Sequence, residues 1–207
     1  HFGKPFWERP ISVFDASLNI GLRSAHVMSS LVAPMMVKNK TGLIVQVSSF
    51  GGVQYLFDVG YGVGKAGLDR LTADMAAELK PYNVHTVTLY PGAGVTEVTA
   101  FPGGETPVFT GRSVAALLNK ATNEDLARMS GKVVQSAELA ESYGFTDVNG
   151  GMPEGDFAGV EAAKRMREVM SKPVIQYDMD AELPDPSETN NLGIAGLFAG
   201  ALNYSEK

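Results

Sequence analysis

The apolar and polar positions along the chain follow two periods. From Ser12 onward apolar side chains recur at helical spacing, with Leu18, Leu22, Ala25, Met28, Val32 and Met36 on one face. Ser12 stands three residues ahead of Asp15 and reads as a capping-box-like start. The pattern therefore predicts a long amphipathic helix from Ser12 to about Lys38, with Pro34 marking a kink or a last turn. Turn chemistry follows at 39–42, and the apolar run over 43–47 predicts a strand buried on both faces of a parallel sheet, ending at Ser48 and Ser49. Helical spacing returns over 61–80, and 83–90 predicts a second buried strand stopped by Pro91 and Gly92. Strand, helix, strand in this rhythm is a right-handed βαβ unit. A Pro/Gly loop over 98–109, a helix over 111–121 and a short third strand over 131–136 continue the α/β pattern. Beyond Gly150 the pattern gives a charged helix over 160–170, a strand over 174–177 and a Pro/Asp/Asn-rich linker over 180–191. Met28, Met35, Met36 and Met75 fall at helical spacing and read as core filler.

Composition narrows the function classes. A chain of 207 residues, 44% hydrophobic and 19% charged, has the makeup of one folded domain. Its net charge of −6 argues against nucleic acid or an anionic membrane as the main partner. Without cysteine, and with only His1, His26 and His85 widely spaced, no metal site is expected. The apolar stretch over 192–202 is too short for a transmembrane span, which needs about 20 residues, and reads as a core or interfacial helix. The first residue is His1, and no signal-peptide pattern follows it.

Two motifs compete for the chemistry. Gly62, Gly64 and Gly67 satisfy G-x-G-x-x-G, but they do not follow a strand, and no acidic residue follows on a second strand as a dinucleotide fingerprint requires. Small residues that let a helix pack closely are the better reading. In the same stretch Tyr61 and Lys65 stand four apart, on one helix face. That pair alone carries little. Its setting carries more, because the strand ending in Ser49 and the strand ending in Pro91 and Gly92 point to the same edge of a parallel sheet. Ligands bind in the crevice at that edge. A hydroxyl, a phenol and an ammonium there can donate a proton to a carbonyl oxygen. The ammonium is expected to lower the phenol pKa from about 10. His85 is expected to be a hydrogen-bonded core histidine, and Tyr55, Phe57 and Phe101 are expected to flank the crevice.

Asn19, Ser49, the Tyr61–Lys65 pair and the run from Pro91 through Gly92 and Gly94 to Thr96 resemble the second half of a short-chain dehydrogenase/reductase. The resemblance covers residues 6–136; Phe6, Trp7, Glu8, Gln54 and Tyr55 resemble one branch of the family more narrowly. It implies the C-terminal part of a doubly wound, Rossmann-type parallel sheet with flanking helices. Residues 1–150 would be the catalytic part and 151–207 a substrate loop and tail. By the resemblance Tyr61 is the general acid and base, and Lys65 holds the nicotinamide ribose. Ser49, rather than its rival Ser48, binds the substrate oxygen, and Asn19 positions a water joined to Lys65. Pro91, Gly92, Gly94 and Thr96 line the nicotinamide pocket, with Gly94 standing where the family usually has Val or Ile.

The implied cofactor is NADP or NAD, with NADP favoured, and the implied partner is a small carbonyl or alcohol; a homo-oligomer stays open. The cytoplasm is the expected compartment, and association with the endoplasmic reticulum is compatible with the family. The family's Gly-rich turn and its Asn-Asn-Ala-Gly turn do not occur in these residues. The expectation is therefore an N-terminally incomplete chain that binds dinucleotide poorly by itself and leaves an open edge on its first strand. Two other readings stand beside the oxidoreductase: a non-catalytic interaction or assembly subunit, and an epimerase or dehydratase of the same family using the same Tyr and Lys.

Overall fold

Strands form where the β-branched runs predict them. The computed structural model describes residues 4–171, and in it β1 (Gly42–Val47), β2 (Val84–Tyr90) and β3 (Val133–Gln135) lie parallel in the order β1-β2-β3. All seven residues of β2 are buried, as suits a central strand covered on both faces. The expectation of full burial is corrected for β1: Val47 is 48% exposed, and among the described residues β1 pairs only with β2.

The first helix starts at Ile11 after Pro10, so the expected Ser12 cap is not used. It runs to Asn39 in three pieces: α1 (Ile11–Leu18), a π-helical turn (Asn19–Arg23) and α2 (Ser24–Asn39). Pro34 sits inside α2, and the departure from α-helical geometry falls at the π turn instead. These 29 residues are long and apolar enough to cross a membrane by length and composition alone, a feature the sequence reading passed over. In the fold, α1 and the π turn lie against α3 (Val59–Leu79). Two glycines of the G-x-G-x-x-G run sit at that contact: a Cβ on Gly64 would lie 3.4 Å from the Ser17 carbonyl oxygen, and one on Gly67 would lie 2.8 Å from Leu22 Cδ2, while one on Gly62 would lie 3.4 Å from the Gly51 carbonyl oxygen. They are packing glycines within a helix, as expected.

The sheet separates two cores. On one face Ile44, Val84 and Leu79 pack with Val32, Met36, Val37 and Met75. On the other, Val87, Leu89, Leu117, Val134 and Leu139 form the centre. Met28 and Met35, expected in the core, are 60% and 62% exposed, because the face that α2 turns to the sheet runs through Ser29, Val32, Ala33, Met36 and Val37. Ser29 is buried there and accepts a 2.9 Å hydrogen bond from Gln46 of β1. His85 is buried and paired with Asn123 Oδ1 at 3.0 Å, as expected of a core histidine.

Helix α4 (Pro107–Asn119) begins four residues before its predicted start, where Thr106 Oγ1 caps the Phe109 amide. Two helices were not predicted, α5 (Asn123–Met129) and α6 (Ser136–Tyr143). Helix α7 (Val160–Met170) has the predicted bounds. Its Met166 packs with Phe50 and Tyr90, and its Ala163 carbonyl accepts from Gln135 Nε2 at 2.9 Å. It therefore lies by the carboxyl end of β2. The expected strand over 174–177, the linker over 180–191 and the apolar stretch over 192–202 lie outside the described residues.

Candidate active site

The site grows from the carboxyl end of β1. Ser49 is extended and opens a short 3-10 turn (Phe50–Gly52), its Oγ accepting the Gly51 amide at 3.0 Å. The chain then turns into α3, whose N-cap is Asp58: Oδ1 accepts the Tyr61 amide at 2.8 Å. The other oxygen of Asp58 pairs with Arg9 at 2.8 Å, both side chains nearly buried. Tyr61 is thus fixed in the first turn of α3 by a cap that is itself anchored.

The Tyr61 hydroxyl donates to Ser49 Oγ at 2.8 Å. Two neighbours aim the ring. A Cβ on Gly51 would lie 2.5 Å from Tyr61 Cε1, so only glycine leaves room there. Phe57, held at a φ of 63° that glycine would adopt more readily, meets the Tyr61 ring edge-on at 4.9 Å. One turn further on, Lys65 Nζ lies 5.6 Å from the Tyr61 ring centroid and 3.4 Å from the Val47 carbonyl oxygen. Ser48 is buried, and its hydroxyl points at the Lys65 carbonyl oxygen, 3.4 Å away. Of the two serines, Ser49 is the one brought to the phenol.

Electrostatics differ from the expectation in one respect. Burial raises the Tyr61 phenol above its ordinary value; the Ser49 hydrogen bond opposes this and Asp58 adds to it. The lowering expected from Lys65 is not seen; the ammonium sits over the ring, 5.6 Å from its centroid, and is itself pushed down by burial, with Asp69 opposing that shift. At neutral pH the phenol carries its proton.

The remaining candidates lie around this pair. Asn19 is exposed at the start of the π turn, its carbonyl accepting the Ser24 amide. Among the described residues no hydrogen bond joins its side chain to Lys65. Pro91, Gly92, Gly94 and Thr96 form the turn leaving β2. The Gly92 amide is bound by Glu105 Oε2 at 2.9 Å, and the Ala93 amide by the Phe157 carbonyl at 2.7 Å. Thr96 Oγ1 accepts the amides of Val98 and Thr99, closing a turn of its own. Beside this turn lies a cavity of about 210 Å³ lined by Ala93, Phe101, Pro102, Gly104, Phe157 and Ala158. Of the aromatics expected to flank the crevice, Phe57 touches Tyr61, Phe101 lines this cavity and Tyr55 is exposed.

Sequence reasoning missed Asp58, Glu105 and Asp69. Asp58 three residues before Tyr61 was readable as an N-cap, and Asp69 four residues after Lys65 was readable as sharing its helix face; Glu105 is placed by tertiary contacts that leave no local signal. Among the described residues no group of three or more histidines and carboxylates could hold a metal ion.

The chain has known relatives in sequence and in fold. The family model described as short chain dehydrogenase matches residues 2–102. Dehydrogenase/reductase SDR family member 1 of Mus musculus and of Homo sapiens are each 41% identical over 167 residues, covering 71% of this chain and 52% of those proteins. The chain thus spans about half the length of the relatives it matches. Among solved structures, a putative dehydrogenase from Xanthomonas campestris superposes with a TM-score of 0.60 at 19% identity, over 76% of this chain and 60% of that one. A 3-oxoacyl-[acyl-carrier protein] reductase from Brucella melitensis with bound NAD gives 0.55 at 22% identity, over 64% and 53%. The sequence match and the parallel sheet together place the chain in the short-chain dehydrogenase/reductase superfamily.

Proposed function

We propose that the chain carries the proton-transfer side of an NAD(P)(H)-dependent oxidoreductase acting on a small carbonyl or its alcohol. The observation that carries this reading is the 2.8 Å bond from the Tyr61 hydroxyl to Ser49 Oγ, with Lys65 one turn further along the same helix face. The donor set suits a nicotinamide riboside: among the described residues Lys65 Nζ makes one hydrogen bond, a long one to the Val47 carbonyl oxygen, leaving donors for ribose hydroxyls. The Brucella reductase with bound NAD supports a nicotinamide cofactor for the fold, and NADP remains the expectation from the resemblance. The dinucleotide, when bound, supplies the hydride that reaches the carbonyl carbon.

The chain's own residues handle the proton. Ser49 orients the carbonyl oxygen by a hydrogen bond, and Tyr61 gives its phenolic proton to that oxygen as negative charge develops on it. Solvent returns the proton to the tyrosinate left behind, and Lys65 is placed beside it to hold the riboside hydroxyls. A phenol held above its ordinary value carries its proton near neutral pH, the form in which it can act as an acid toward a carbonyl oxygen.

The test follows oxidation of NADPH and NADH by the protein with a panel of aldehydes and ketones. Tyr61→Phe is expected to abolish turnover while dinucleotide binding persists. Retention of most of the rate would overturn the assignment.

A further inference from the structure

Beyond Lys65 on the same face of α3 stands a carboxylate that the proton transfer above does not use. Tyr61, Lys65 and Asp69 are spaced four apart, so the phenol, the ammonium and the carboxylate form one column along the helix. Asp69 Oδ2 accepts a short hydrogen bond from the hydroxyl of Tyr90, the last residue of β2. Asp69 Oδ1 is shut away from solvent with no hydrogen-bond partner among the described residues. The backbone of the 3-10 turn closes over the group: a Cβ on Gly52 would lie 2.6 Å from Asp69 Oδ2. A carboxylate oxygen buried without a donor costs stability unless a charge answers it.

The groups facing the carboxylate identify that charge. From β2 comes the Tyr90 hydroxyl, from the end of β1 the Ser48 hydroxyl, short of hydrogen-bond geometry to Oδ1, and from α3 the Lys65 ammonium, one turn back on the same face and acting through space, with no ion-pair contact within 4.0 Å among the described residues. Arg167 of α7 acts on Tyr90 and is itself paired with Glu138 at 2.5 Å. Burial pushes Asp69 up to about 6, against the pull of Tyr90, Ser48 and Lys65, so the carboxylate is charged at neutral pH. The effect is mutual, since Asp69 holds the Lys65 value up against burial.

We propose that Asp69 and Tyr90 brace Lys65. The carboxylate is the buried counter-charge that favours the protonated ammonium beside Tyr61, and the Tyr90 hydroxyl ties that carboxylate to the end of β2, where the Pro91–Thr96 turn begins. Asp69 is a positioning residue that acts through Lys65, and its role in catalysis rests on the oxidoreductase reading. The brace also joins both halves of the site, since it links the helix that presents the phenol to the strand that presents the turn.

The test reads protonation directly and needs neither cofactor nor turnover. In the protein with isotope-labelled lysine side chains, Asp69→Asn is expected to lower the Lys65 midpoint by about one pH unit, a tenfold change in proton affinity. Asparagine keeps the acceptor for Tyr90, so the fold is retained. A midpoint unchanged within about 0.2 units would overturn the brace. Independently, the Asp69 carboxylate followed by NMR is expected to titrate higher in Lys65→Met and in Tyr90→Phe than in the parent; identical curves would overturn it as well. Where these titrations are coupled and no carbonyl is reduced, the oxidoreductase reading fails and the brace stands. Where reduction is observed, the alkaline limb of kcat is expected to move with the Lys65 midpoint, a readout that a purely structural role would leave in place.

Discussion

The Gly92 amide donates to Glu105 Oε2 at 2.9 Å, and that carboxylate, 1% exposed, also accepts from Thr110 Oγ1 at 2.7 Å and Ser136 Oγ at 2.5 Å. One buried side chain therefore holds the turn after β2 against the starts of α4 and α6. The Glu105 backbone pairs with Ala93 and Val95 as well, at 2.9 and 2.8 Å. Glu105→Ala strands three donors, the buried Ser136 hydroxyl and the part-buried Gly92 amide and Thr110 hydroxyl, and is expected to destabilise the fold by about 3 kcal/mol. Urea unfolding measures the loss, and hydrogen exchange at the Gly92 amide, expected to quicken, locates it.

Ser49 and Asp58 pull the Tyr61 phenol in opposite directions. Ser49→Ala removes the hydrogen bond that favours the phenolate, so the phenol is expected to titrate higher. Asp58→Asn keeps an acceptor for the Tyr61 amide and removes a negative charge, so the phenol is expected to titrate lower. Ultraviolet difference titration of the two variants against the parent reads both signs.

The cap of α3 also has a stability role. Asp58→Ala removes the acceptor of the Tyr61 amide and leaves Arg9 nearly buried without its partner. The cap alone is worth about 1 kcal/mol, and the stranded charge adds to it, for an expected total of about 2–4 kcal/mol. Thermal unfolding of Asp58→Ala and Asp58→Asn separates the two contributions.

Asp69 gives the fold a specific pH dependence. Its carboxyl is raised from 3.8 to about 6 on folding, so the folded state binds the extra proton between those values. The contribution is fully present below pH 3.8 and is lost as pH rises through about 6. Asp69→Asn is therefore expected to match the parent near pH 4 and to exceed it above pH 6 by on the order of 2 kcal/mol. Denaturant unfolding at the two pH values measures the difference.

Gly52 has no space for a side chain, since an added Cβ meets Asp69 Oδ2 at 2.6 Å and the Ala66 nitrogen and Lys65 carbonyl carbon at 3.0 Å. Two of those contacts are backbone and cannot yield. Gly52→Ala is expected to cost about 1–3 kcal/mol, measured by chemical denaturation.

How legible each element was depended on the range of the forces that place it. The runs that became β1 and β2 and the spacing that became α3 and α7 were local patterns, and their bounds were predicted to within two residues. The seven residues of α5 and eight of α6 are too few for a helical period to declare itself; only the cap pairs Thr122 with Asp125 and Gln135 with Glu138 marked their starts. The face of α2 was misjudged at Met28 and Met35 because the π turn at Asn19–Arg23 lies between α1 and α2, and a wider turn resets the phase of everything after it. At the site, Ser49, Tyr61 and Lys65 were readable because two lie on one helix and the third ends a strand. The partners of Glu105 and Asp69 were not, because Gly92 and Tyr90 come to them from 13 and 21 residues away.

The side of β1 away from β2, unpaired among the described residues, carries one more consequence. Its outward amides and carbonyls form a template six residues long that fixes the offset of any strand laid parallel to it, as the matched offsets of β1 and β2 already illustrate. A strand seated in that register would run out alongside Val47, whose carbonyl oxygen lies 3.4 Å from the Lys65 ammonium. Whatever loop followed such a strand would be delivered to the mouth of the crevice by main-chain pairing alone, with no side-chain recognition needed to steer it there.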